Sequence, residues 1–257
     1  MRTLAIALFL MMLAPPLARA DTACRAQSGA TTRPLVELYT SEGCDSCPPA
    51  DRWLGRTFAG PHAPAVAIAL HVDYWDRLGW KDRFASHAFT ERQHRAAEAN
   101  RADFVYTPQV LLQGRDFDWR KAPASALAAA AATPSRAAIT LTAQHTPVGV
   151  EAHASASIPD AGSRADARVV LAYVDGGLTS DVKAGENRGV QLHHDHVVRA
   201  LAEGGKADAQ GGLTATATFP IPAEAGRDAT LVAFVQRAGS GEILQALELP
   251  LGGCAAP

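Results

Sequence analysis

The chain has 257 residues, 47% of them hydrophobic and 19% charged, with a formal net charge of −2. That length exceeds a typical single domain and predicts two. The near-neutral balance excludes the strongly basic surface that nucleic acid or an anionic membrane would need.

The N-terminus predicts the compartment. Met1-Arg2-Thr3 is a short positive region, Leu4 to Leu13 is unbroken apolar sequence, and Ala18-Arg19-Ala20 supplies small residues at a cleavage position. The apolar run is shorter than the roughly 20 residues a membrane helix needs. Residues 1–20 are therefore expected to be a cleaved secretory signal, leaving a periplasmic or secreted chain with no membrane attachment.

Leu35 to Thr40 is short, apolar and β-rich, and predicts a buried strand. Cys47 to Phe58 reads as a helix, with Pro48 in the first turn, where a missing N–H costs little. Ala65 to Val72 predicts a second strand, His87 to Asn100 a second helix, Gln109 to Leu112 a third strand and Pro123 to Ala132 a third helix. Strands alternating with helices imply a sheet with helices on its faces. Beyond Thr133-Pro134-Ser135 the texture changes to short alternating runs, at 139–142, 150–158, 168–174, 213–219 and 231–235, separated by Gly, Pro and Asp. These predict an all-β, sandwich-like unit. The expected division is a signal at 1–20, an α/β domain at 21–135 and a β-sandwich domain at 136–257.

Four cysteines in an exported chain are expected to pair, with three possible connectivities. Cys44 and Cys47 lie three apart at a strand-to-helix junction, and Cys24 and Cys254 lie near the mature termini. A local redox pair with a Cys24–Cys254 staple is the economical reading. A thiol at a helix N-terminus is stabilised as thiolate by the unpaired N–H groups there. A purely structural disulfide and half of a zinc site are the alternatives, and zinc lacks a second paired motif. The run His193-His194-Asp195-His196 splits across the two faces of a strand, so no metal or other cofactor is expected there. The segment His71, Asp73, Tyr74, Trp75 and Trp80 is either a substrate lip or a loop packed against the second half. No phosphate loop, nucleophile elbow or catalytic carboxylate pair is evident.

The stretch Val36 to Asp51, containing Cys44-Asp45-Ser46-Cys47-Pro48-Pro49, resembles the secreted, thioredoxin-like domain-of-unknown-function family 1223. His71 to Asp76, Val105-Tyr106-Thr107-Pro108-Gln109 and Asp181 to Gly189 extend the resemblance over most of the mature chain. It implies a thioredoxin-like α/β domain ahead of the sandwich. It also implies Cys44 as attacking thiol, exposed ahead of the helix, and Cys47 as buried resolving thiol. Thr107-Pro108 would be a cis-proline loop facing the pair. Glu37 would resemble the buried acid that relays the resolving thiol's proton, though its spacing differs by one residue; an edge or solvent-facing carboxylate is the alternative. The expected activity is thiol–disulfide exchange with protein thiols or disulfides as partners. A non-catalytic binding protein and a copper-handling protein, with Cys44, Cys47 and His71 as soft ligands, are the competing expectations.

Overall fold

The computed structural model describes residues 24–121, 124–226 and 228–254, so the expected signal at 1–20 lies outside the described residues. The first half contributes β1 (Cys24–Gln27), β2 (Leu35–Thr40), α1 (Pro48–Thr57), β3 (Val66–His71), a 3-10 turn (Asp73–Leu78), α2 (His87–Asn100), β4 (Gln109–Leu112), β5 (Arg115–Asp116) and α3 (Ala124–Ala131). The second contributes β6 (Ala138–Thr146), β7 (Gly149–Ser157), β8 (Ala167–Asp175), β9 (Leu178–Asp181), β10 (Gln191–His194), β11 (Val197–Lys206), β12 (Gly212–Phe219), β13 (Thr230–Arg237) and β14 (Ile243–Pro250).

One sheet crosses both halves, in the order β14-β13-β8-β11-β3-β2-β4-β5. β2 pairs with β3 in parallel, as the strand–helix–strand connection requires. Both strands are buried on both faces, which explains their continuous apolar sequence. Val36, Leu38, Ala67 and Ala69 meet Ala50, Leu54 and Phe58 around α1. On the other face Leu35, Tyr39, Ile68 and Leu70 meet Phe89 of α2 and, from the far strands, Val170, Val174 and Phe234. The sheet curls until the turn after β4 touches the turn after β13. There Gln113 Nε2 donates to Ile243 O over 3.1 Å. A side chain on Gly114, at φ +77°, would collide with the Gly241 carbonyl, so this approach requires glycine. A second, antiparallel sheet, β1-β6-β7-β12, alternates buried and open residues and packs its apolar face on β8, β13 and β14.

The expected fold class, an α/β thioredoxin-like domain followed by an all-β sandwich-like domain, is overturned. The chain is mostly β, with fourteen strands against three α-helices of 8 to 14 residues among the described residues. β3 does not close a first-half sheet. Ala69 N donates to His196 O over 2.7 Å and Val197 pairs in parallel with Ala69, so β11 continues the same ladder into the second half. In return β1 leaves the first half and pairs with β6. Alternating strands and helices predict a helix-covered sheet, but they cannot show that distant strands join it.

Candidate functional site

Two disulfides are present: Cys24–Cys254, with Cα atoms 5.5 Å apart, and Cys44–Cys47, with Cα atoms 5.4 Å apart. The first ties β1 to the end of the chain. The second closes the turn that carries β2 into α1. Cys47 is the N-cap of α1, followed by Pro48 and Pro49, and its carbonyl accepts from Ala50 N and Asp51 N. The pair therefore sits at the positive end of a ten-residue helix. Cys44 Sγ lies 3.3 Å from Ser46 Oγ. Both cysteines are wholly buried, while Asp45 and Ser46 between them are exposed.

The cover comes from the second half. Asn187, itself buried, donates from its one amide nitrogen to Glu42 O and to Cys44 O, each at 2.9 Å. Glu186 Oε2 accepts from Asp45 N at 3.1 Å. The expected exposed Cys44 is thus not found, because this strap between β9 and β10 lies over its loop.

Beside the disulfide is a buried ionisable network. Glu42 is two residues before Cys44; its carboxylate accepts from Trp80 Nε1 at 2.7 Å and lies 3.2 Å from His194 Nε2 without an aligned hydrogen bond. Asp82 accepts from Glu42 N at 2.9 Å and pairs with His71 Nδ1 at 2.7 Å. The two imidazoles meet edge to face, 5.1 Å apart. Burial would lower the His71 pKa, but the Asp82 carboxylate outweighs it and the net shift is upward. Burial would raise Glu42, but the neighbouring His194 and Ser180 and the bond from Trp80 hold it below the ordinary carboxylate range. Asp82 is likewise lowered against burial, by His71. Asp51, one turn into α1, is pushed upward by burial. Among the described residues no group of three or more His, Cys, Asp or Glu side chains is arranged to hold a metal ion.

A family model described as a protein of unknown function (DUF1223) matches residues 35–236. The chain belongs to the DUF1223 family. Two solved structures are similar to it. One is a structural-genomics target from Agrobacterium tumefaciens, at 27% identity over 90% of this chain and 99% of that one, with a TM-score of 0.66. The other is HBP35 of Porphyromonas gingivalis, at 12% identity over 89% and 78%, with a TM-score of 0.64, a likeness of fold alone. No curated protein matches the chain.

In this DUF1223 chain the remaining sequence-predicted residues divide into two groups. Thr107 and Pro108, joined by a cis bond, are brought to the disulfide loop through Trp75. Trp75 Nε1 donates to Thr107 Oγ1 at 2.7 Å, and Trp75 Cβ packs where a Gly43 side chain would lie. Glu37 goes elsewhere. It points from β2 to the face opposite α1, where its carboxylate takes Arg92 Nε at 2.8 Å and Tyr39 OH at 3.4 Å. That pairing leaves it no place in a proton relay from Cys47. His71, Asp73, Tyr74, Trp75 and Trp80 are held by contacts within the fold, with Tyr74 OH on Gln93 at 3.3 Å, while Arg77, Leu78 and Gly79 between them are exposed. Of the histidine run, His194 turns inward and His193 outward. Glu42, Asp82, Asp51 and Asn187 were not singled out as site residues. Their one sequence signal is a lone ionisable or amide group in a segment that must pack.

Proposed function

We propose that this chain is an exported, periplasmic or secreted protein that exchanges its Cys44–Cys47 disulfide with protein thiols or disulfides, under a cover that a partner displaces. The observation that carries this reading is the company the disulfide keeps. It caps a helix N-terminus and adjoins a buried set of two imidazoles and two carboxylates. Burying ionisable groups is costly, and such perturbed clusters concentrate where protons move. Reducing a disulfide takes up two electrons and two protons, so a proton-holding network beside it has chemical use.

The exchange balances as follows. A partner thiolate attacks Cys44 Sγ, the Cys44–Cys47 bond breaks, and Cys47 leaves as a thiolate that the α1 N-terminus stabilises and that then takes up a proton. A second partner thiolate attacks the partner's own sulfur in the mixed disulfide and releases Cys44. The partner dithiol becomes a disulfide and the chain becomes a dithiol; the reverse sequence reduces a partner. Access requires the strap bearing Glu186 and Asn187 to lift. In the expected compartment Cys47→Ser should accumulate covalent adducts and Cys44→Ser none. Absence of adducts from both variants, each folded as the parent, would overturn the reading.

One observation favours a second reading: neither sulfur has any exposed surface. An inert structural bridge in a binding protein would have the same burial, and its reduction potential would be low.

A further inference from the structure

The curl of the long sheet leaves a mouth of about 370 Å³ between α2, β2 and the far strands β8 and β13. That volume is in the range of small-molecule pockets, and the mouth of a curled sheet is a common place for one. Its floor is the buried Glu37–Arg92 pair, in which Arg92 Nη2 lies 2.7 Å from Glu37 Oε1 without an aligned hydrogen bond. Arg95 stands at the rim, 4.0 Å from Glu203, with both side chains about half exposed. Arg168, on β8, lines the same space and has no ion-pair partner among the described residues. Leu111 and Val170, both buried, supply apolar wall. Three guanidinium groups thus face two carboxylates, and Arg92 meets one of these, Glu37, through its Oε1.

We propose that this cavity is a binding site for a small organic anion, a carboxylate with a short apolar tail. The carboxylate would be held by Arg168 and Arg95, whose planar forks suit it, and the tail would lie toward Leu111 and Val170. Glu203 sets an upper limit on affinity by competing for Arg95. The site is on the opposite face of β2 from the disulfide helix and does not depend on the redox reading.

Calorimetric titration of the disulfide-intact full chain with hexanoate, hexanol and inorganic phosphate tests this. Hexanoate should bind one to one, and the other two should bind at least about tenfold more weakly. Arg168→Gln should weaken hexanoate about tenfold or more with an unchanged thermal midpoint, since its side chain makes no bond among the described residues. Glu203→Gln should tighten it. No hexanoate binding at millimolar concentration, hexanol or phosphate binding as tightly, or an Arg168→Gln variant that binds like the parent would each overturn the proposal.

Discussion

Asn187→Ala should unlock the disulfide. Among the described residues the amide supplies the only side-chain donor to the Glu42 and Cys44 carbonyls, and the site is buried, so water does not replace it at once. Each buried acceptor left unpaired costs on the order of 1–3 kcal/mol. Cys44 O keeps Cys47 N at 3.3 Å, so Glu42 O alone is stranded, which gives about 1–3 kcal/mol of local destabilisation. If lifting the strap precedes attack on Cys44, reduction should speed up roughly 5-fold to 150-fold, at about 1.4 kcal/mol per decade. The assay is native-state reduction by dithiothreitol, sampled by alkylation and mass mapping of the Cys44–Cys47 peptide. Lys183→Ala, an exposed position on the same strap, should leave the rate unchanged, and Glu186→Gln should raise it only a few-fold. An Asn187→Ala protein with a lowered thermal midpoint but the parent's reduction rate would refute the shielding argument.

Glu37→Gln should be strongly destabilising, because it strands the buried Arg92, whose pKa is raised and which cannot shed its proton. Breaking such a pair costs about 3–5 kcal/mol, a fall in midpoint on the order of 10 °C by calorimetry; an unchanged midpoint would contradict the assignment of Glu37 as a structural partner. Stability should also peak in mildly acidic solution. His71 has a raised folded pKa, so its contribution is full below the ordinary 6.5 and is lost as pH rises through the folded value. Asp51 is also raised, and its contribution fades over rising pH from 3.8 upward. Glu42 and Asp82 are lowered, so theirs is present above 4.5 and 3.8 and is lost as pH falls through their depressed values. Urea midpoints measured across pH should fall on both sides, and His71→Gln should flatten the alkaline side; a parent profile that rises from about pH 6.5 to 9 would contradict the sign.

Local structure was the most legible level of this chain. The continuous apolar runs at β2 and β3 and the helix at α1 are strong local signals, and their expected limits agree with the structure to within one or two residues. β11 gave no such signal. Its register shifts between Val198 and Ala200 and between Glu203 and Lys206, and extra residues at those irregularities destroy the alternation a strand would show. Because β11 is the element that joins the two halves of the long sheet, missing it meant misjudging the fold class. The disulfide was legible as a three-residue spacing at a strand-to-helix junction. The network beside it was not, because His71 meets Asp82 and Glu42 meets His194 only after folding, and a single sequence holds no record of such distant pairs. Glu37 was recognised as a charge out of place, but its partner Arg92, on α2, decides what that charge does.

The reduction potential of the Cys44–Cys47 pair is the most direct test of the central claim. The full chain would be equilibrated in graded dithiothreitol buffers and the two thiols quantified separately from Cys24 and Cys254. An exchange-active couple should titrate in the range of roughly −120 to −270 mV spanned by protein thiol–disulfide catalysts. A value below roughly −300 mV, where inert structural bridges lie, would contradict the account and leave the disulfide as a staple of the α1 turn.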